Sequence, residues 1–391
     1  MRRRGGHSTL AIALLLAAAA LAAIGEPAPA SERPAAIDRL SPGQLAGQRM
    51  IVSYKGFDPP KRLLHLIRRG VVAGVIFGES NTGFEPPNFD TRRGRVRKAI
   101  SRMQRARRHA RPKLLRRRPL LMMTCQEGLL VRRLGGQPSI SEREIGKSDN
   151  GVQLARKAGF GAANNISGVG MNLNLAPVLG VLSKGNGDGL LGQFMRAYGF
   201  DRRKVARLGK RFIKASQRRG VAATAKHFPG LGTAKKDQDT DLRPVTLRIP
   251  LHRLRKVDEH PYPSAIRAGV RMVMVSHAYY PALDRRWPAS MSPRVVRDEL
   301  RRRLGFRGVT ITDAIEAGGL RRVGNLERRA VQGARAGEDL LLFDGEKLDS
   351  STAASRALRR ALRTGRLSRE NFERSARRVL HLRKELGRGI R

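Results

Sequence analysis

The chain has 391 residues with a single Cys, and its 79 Lys and Arg against 32 Asp and Glu give a formal net charge of +47. That length fits one large α/β domain or two ordinary ones, and one Cys excludes an intramolecular disulfide framework. No Cys/His group has zinc-ligand spacing, and nothing signals a metal or an organic cofactor.

In chain order, Arg2-Arg3-Arg4 precede an apolar run from Leu10 to Ile24, and Ala28-Pro29-Ala30 follows as a small-x-small cleavage pattern. These features mark residues 1–30 as a signal peptide. The run is short of the ~20 residues a membrane span needs. Cleavage is therefore favoured, with an uncleaved N-terminal anchor as the alternative. The expected location is secreted or otherwise extracytoplasmic. Residues 31–40 form a Pro/Ala linker, and residues 41–391 the folded domain.

That domain alternates apolar, β-branched runs with amphipathic stretches. The strand-like runs are Met50–Tyr54, Val71–Phe77, Leu120–Cys125, Met171–Ala176, Ala222–Lys226, Met272–Ser276, Val309–Thr312 and Asp339–Phe343. Helical stretches such as Lys61–Arg69, Arg203–Arg218, Leu251–Ala268 and Pro293–Leu304 separate them. Continuous apolar strands between helices imply a parallel sheet covered on both faces. Eight βα units predict a single (β/α)8 TIM-type barrel.

The basic residues cluster. Residues 92–118 hold fourteen Lys/Arg and no acid, and a second basic stretch runs from Arg356 to Arg391. Such charge favours an anionic partner. Aromatic content of 5% and the export signal argue against specific nucleic-acid binding. The reading is a solvated basic helix that associates electrostatically with anionic cell-wall polymer.

Barrel active sites lie at the C-terminal ends of the strands, and polar residues gather there. Strand three ends in Cys125-Gln126-Glu127-Gly128, strand five in Lys226-His227, strand six in Ser276-His277 and strand seven in Thr312-Asp313. Arg133 and Arg196 fall in the loops after strands three and four. Any one of these residues is as easily a helix cap or a satisfied loop residue. Their shared rim points to one site.

Lys226-His-Phe-Pro-Gly, Val309-Thr-Ile-Thr-Asp313, Gln126-Glu-Gly128 and Asn174-Leu-Ala-Pro-Val178 resemble the motifs of glycoside hydrolase family 3. So does Met274-Val-Ser-His277 with Leu304-Gly-Phe-Arg-Gly308. The order and spacing agree from about residue 40 to residue 345, and the single-domain length is similar to the bacterial β-N-acetylglucosaminidase branch. The resemblance implies a retaining β-glycosidase acting on a carbohydrate, β-N-acetylhexosaminidase first, with terminal β-linked N-acetylglucosamine of cell-wall glycans as substrate. Asp313 would be its nucleophile, which agrees with an Asp fixed at the end of a buried strand. Lys226, His227, Arg196 and Arg133 match positions that hydrogen-bond the sugar. Cys125 stands where a sugar-binding Asp is usual, and His277 closes strand six on the same rim.

The loop after strand five departs from the pattern. An Asp-x-His dyad whose His is the acid/base is matched here by Asp237-Gln238-Asp239, Leu231 replaces a second His, and Gly180 replaces an Asp. Clustered carboxylates raise one another's pKa, so Asp239, or its neighbours Asp237 and Asp241, are expected to supply the proton from a loop able to close over substrate. The alternatives are a catalytically impaired glycan-binding protein, a β-glucosidase-like enzyme of the same family, and a surface loop whose acids offset Lys235 and Lys236.

Overall fold

A computed structural model describes Ile37 and residues 39–82, 92–186 and 189–388. The expected signal peptide lies outside the described residues. Leu40–Arg391 form one compact unit. Its eight parallel strands are β1 (Met50–Val52), β2 (Gly74–Ile76), β3 (Leu121–Thr124), β4 (Leu173–Asn174), β5 (Ala222–Phe228), β6 (Met272–Val275), β7 (Val309–Ala314) and β8 (Leu340–Leu342). Each pairs with its sequence neighbours, and Met50 opposite Leu341 closes the ring. β1 to β6 and β8 are buried along their whole length. Ile51, Leu121, Met123, Leu173, Met272 and Ile311 belong to the cluster that fills the barrel.

The elements are those the apolar runs predict, with differences that have local causes. β5 runs two residues beyond the expected end at Lys226, so His227 and Phe228 are strand residues as well. The expected helix over 251–268 divides into Leu251–Arg253, a π-helical turn Leu254–Asp258, and Pro261–Arg267. Pro261 has no N–H and its ring crowds the preceding turn, so an uninterrupted helix is excluded there. A hairpin of Gln126–Gly128 with Val131–Arg132, not foreseen, sits on the C-terminal face.

The basic segment also differs from expectation. Helix Arg93–Arg108 buries Val96, Ala99, Ile100, Met103 and Ala106 along one stripe, so it is a barrel helix with one solvated face. Arg118 is buried and donates to the Leu380 carbonyl. Arg383, 1% exposed, donates to the carbonyls of Pro119 and Arg118. Part of the arginine excess is thus structural. The scarce acids are hubs in return: Asp339, fully buried, accepts from Arg301 at 2.6 Å, Arg378 at 2.9 Å and the Thr310 N–H at 3.0 Å.

Candidate active site

The residue after β3 is Cys125, and the next is held from two sides. Asn174, ending β4, accepts from the Gln126 N–H and donates to the Gln126 carbonyl, both at 3.0 Å. The Gln126 side chain donates to the carbonyls of Leu134 and Gln137 at 2.9 Å and accepts from the N–H groups of Arg133 and Leu134 at 3.2 Å. One amide therefore fixes the loop that carries Arg133.

Glu127 is the centre of the site, and sequence reasoning gave it no role. Its carboxylate, 2% exposed, accepts from Arg196 Nε at 2.8 Å and Nη2 at 2.9 Å, and lies 2.7 Å from Lys226 Nζ. Burial alone would lift its pKa, but Arg196 and then Lys226 hold it below the ordinary value. A planar fork against a carboxylate fixes Arg196 in orientation as well as charge. Two of its five donors are committed to Glu127, and 21% of the side chain remains exposed. Lys226 Nζ also approaches Cys125 Sγ at 3.5 Å, which places the thiol beside the amine where a carboxylate was expected. The available signal was an acid at a strand end in a chain poor in acids, on the rim already assigned to Lys226.

Asp313 is brought onto this group by β7. Its Oδ1 accepts from the Ala314 N–H at 2.9 Å, its Oδ2 lies 3.8 Å from His227 Nε2, and 21% of its side chain remains exposed. Burial raises its pKa, with Lys226 opposing. His227 is nearly buried and its pKa is lowered well below the ordinary value, by burial first and then by Arg196, Lys226 and His277. It is a neutral imidazole beside a carboxylate.

His277 corrects the expectation of a substrate contact. Its Nε2 lies 2.9 Å from the Ala314 carbonyl, which can only accept, so Nε2 carries the proton and Nδ1 accepts from Ser290 Oγ at 2.7 Å. Burial lowers its pKa to about 4. With both nitrogens engaged, His277 fixes the end of β7 and has no donor for a sugar.

The three loop acids separate. Asp237 is turned onto Arg243 at 2.5 Å, with 70% of its side chain exposed, and is not brought to Asp313. Asp239 Oδ1 accepts from the Asp241 N–H at 2.8 Å, which shapes the turn. The Asp241 carboxyl is raised to about 6 by desolvation and then by Asp313 and Asp239. Asp241 is an exposed residue, and two neighbouring carboxylates repel its ionised form. The loop is docked rather than open: Gly318 N–H donates to the Asp241 carbonyl at 2.7 Å and Gly319 N–H to that of Thr240 at 2.8 Å. A Cβ on Gly318 would stand 2.1 Å from the Leu242 carbonyl oxygen, so this docking requires glycine.

Asp344, after β8, joins the rim and was also missed. Its carboxyl is raised to about 7 by desolvation and by Glu316, with Arg133 opposing and Asp313 adding to the rise. Extending the strand-end rule to strand eight would have found it. Among the described residues no group of His, Cys, Asp and Glu is arranged to hold a metal ion. The arrangement offers a fixed carboxylate, a second carboxyl able to hold a proton near pH 6, and a set of oriented cationic and neutral donors.

The model of the glycosyl hydrolase family 3 N terminal domain matches residues 47–382. A protein of Arthroderma benhamiae described as an uncharacterized secreted glycosyl hydrolase is 39% identical over 342 residues, 87% of this chain and 93% of that one. A beta-hexosaminidase of Stenotrophomonas maltophilia is 33% identical over 234 residues, covering 58% of this chain and 67% of its own. Among solved structures, a glycoside hydrolase family 3 beta-N-acetylglucosaminidase from Paenibacillus sp. superposes with a TM-score of 0.79 at 30% identity, over 89% of this chain and 63% of that enzyme. A beta-N-acetylhexosaminidase from Beutenbergia cavernae does so with a TM-score of 0.75 at 27% identity, over 88% and 98%.

Proposed function

Since the chain belongs to glycosyl hydrolase family 3 and is a glycoside hydrolase, we propose that it is a retaining β-N-acetylhexosaminidase. Its substrate is a glycan ending in β-linked N-acetylglucosamine. The observation that carries the reading is Asp313, held by the Ala314 N–H with His227 3.8 Å away, beside the Glu127–Arg196–Lys226 group. Asp313 attacks the anomeric carbon, the glycosyl–oxygen bond breaks, and a carboxyl on the docked loop protonates the leaving oxygen. Water then cleaves the glycosyl ester, the same loop carboxylate taking its proton. Arg196, Lys226, His227 and Arg133 supply the sugar's hydrogen bonds. Hydrolysis of 4-nitrophenyl N-acetyl-β-glucosaminide with net retention, followed by NMR, tests the reading. Sugar binding without turnover of any β-glycoside would replace it with a glycan-binding role.

Of the loop acids, Asp241 is assigned the proton, because Asp237 is spent on Arg243 and Asp239 on the Asp241 backbone. A general acid must be protonated, so kcat/KM should decline as pH rises through about 6. In Asp241→Asn that limb should vanish, with poor leaving groups slowed about 100-fold or more and activated aryl glycosides slowed far less. If the limb survives in Asp241→Asn and disappears in Asp239→Asn, the proton belongs to Asp239. Gly318→Ala, which forces the loop off its dock, should copy the leaving-group effect without lowering the unfolding free energy by more than about 1 kcal/mol.

The N-terminal segment and the basic surface complete the reading: the protein is exported and associates with anionic cell-wall polymer. Mature protein isolated from culture medium should begin near Ser31. Residues 1–30 still attached would indicate an anchored form.

A further inference from the structure

Next to the acid loop the surface changes sign. Arg248, Arg285, Arg286 and Arg322 line a cavity of about 810 Å³ with Tyr279 and Trp287. Arg286 and Trp287 also border a second cavity of about 420 Å³, whose wall continues through Arg297, Arg335 and Arg366. Neither lining includes an Asp or Glu among the described residues. Trp287 is the chain's one Trp, half-buried between the two cavities, with the Arg286 guanidinium 5.0 Å from its ring centroid. Arg297 donates to the Arg335 carbonyl, as arginines do elsewhere in the fold, but the concave surface lined by Arg248, Arg285, Arg286 and Arg322 carries no carboxylate among the described residues.

We propose that these cavities form one continuous groove that binds a polyanionic glycan, its phosphate or carboxylate groups on the arginines and a sugar ring on Trp287. Both cavity volumes lie within the range of ligand sites, ~300–1,000 Å³. Guanidinium forks match phosphate and carboxylate geometry. An indole face offers the apolar platform that a sugar's C–H face needs while leaving its hydroxyls wet.

The groove is continuous with the reaction site through the chain itself. Thr246, on its wall, is three residues beyond Arg243, so the acid loop ends within ~11 Å of it. Arg322 is four residues along the 3₁₀ stretch Gly318–Val323 from the Gly318 that docks Asp241, a rise of ~8 Å. Tyr279 N–H donates to the Val245 carbonyl at 2.8 Å, and Leu247 N–H to the Tyr279 carbonyl at 2.9 Å, tying the two walls together. An anionic chain held here lies beside the barrel mouth. The groove, rather than the solvated face of Arg93–Arg108, is then the specific point of attachment. That helix partly covers its own charge: Asp58 takes Arg102 at 3.0 Å and Arg95 at 3.7 Å, and Arg95 lies over Phe57.

A single Trp makes the test direct, because emission excited where Trp alone absorbs reports on Trp287. The mature protein is titrated with poly(glycerol phosphate), with polygalacturonate and with neutral chitin oligosaccharide. Saturable change in Trp287 emission with at least one of the two polyanions, weakened by salt and absent with the neutral chain, is the expected result. The two polyanions separate a phosphodiester ligand from a carboxylate one. Affinity measured by sedimentation should drop at least tenfold in Arg285→Ala/Arg322→Ala, and less than twofold in Arg95→Ala/Arg102→Ala. Equal losses in the two variants, or polymer binding with unchanged emission, overturn the groove. So does a single-stranded oligonucleotide that binds more tightly with the same emission change. Aryl-glycoside hydrolysis by wild type is read separately, so failure of the groove leaves the hexosaminidase reading standing, and the reverse.

Discussion

Asp313→Asn should lower kcat for aryl N-acetyl-β-glucosaminides by about 1,000-fold or more, while inhibitory sugars still bind. The amide keeps the volume and can keep the acceptor for the Ala314 N–H, but it cannot form the glycosyl ester. The same substitution should leave stability unchanged or raise it. Burial holds the Asp313 pKa above its unfolded value. A carboxyl raised in this way opposes folding at pH values where it is ionised in the unfolded chain, and that opposition vanishes on acidification. A variant that loses turnover yet melts no lower than wild type therefore separates a nucleophile from a structural acid. Unchanged kcat would remove Asp313 from the reaction. Lost turnover with a large loss of stability would make its role structural.

The barrel was legible because each strand is buried on both faces and reads as a continuous apolar run. The rim followed, since a parallel barrel collects strand C-termini on one face. Direction was not legible in the loop. Asp237, Asp239 and Asp241 alternate along a segment without helical or strand periodicity, so spacing does not decide which carboxyl meets Asp313. The conformation of the loop is set by Arg243, and by Gly318 and Gly319 some eighty residues away. His277 failed as a ligand for a similar reason. Its rim position was correct, but Ser290 and the Ala314 carbonyl engage both ring nitrogens through contacts that no local pattern encodes.

Charge distribution was half legible. An excess of 79 cations over 32 acids suggested a surface covered in arginine. Arg49, Arg383 and Arg118 are instead buried, with carbonyls as partners. A guanidinium can satisfy its donors on backbone oxygens without a carboxylate, which lets a chain short of acids still bury arginine stems against its core. Arg49 shows both uses, donating to the Asp339 carbonyl while its guanidinium lies 4.2 Å from the Phe372 ring centroid. Two of the buried acids, Asp339 and Glu127, each serve two cations.

Glu127 is the case in which that sharing falls at the candidate site, and Glu127→Gln should be the most destabilising conservative change there. Removing one charge leaves Lys226 and Arg196 without the carboxylate that pairs with both, and Asp313 acts on them only from a greater distance. Lys226 is 2% exposed and cannot turn to water, whereas Arg196, 21% exposed, can in part. Breaking a buried pair from one side costs about 3–5 kcal/mol, and the partial relief at Arg196 places the expected loss near the lower figure, about 3 kcal/mol. Because the folded Glu127 pKa is depressed, its ionisation stabilises the fold above the unfolded carboxylate value of ~4.3 and stops doing so as pH falls through the folded value. Urea midpoints of wild type and Glu127→Gln should thus differ most near pH 7 and converge in acid. Lys226→Met combined with Glu127→Gln should recover part of the stability while leaving the enzyme inactive, since a neutral pair replaces an uncompensated buried cation. Curves that stay parallel across pH, or a double variant as unstable as the sum of the singles, would show that the carboxylate does not act through its charge on Lys226 and Arg196.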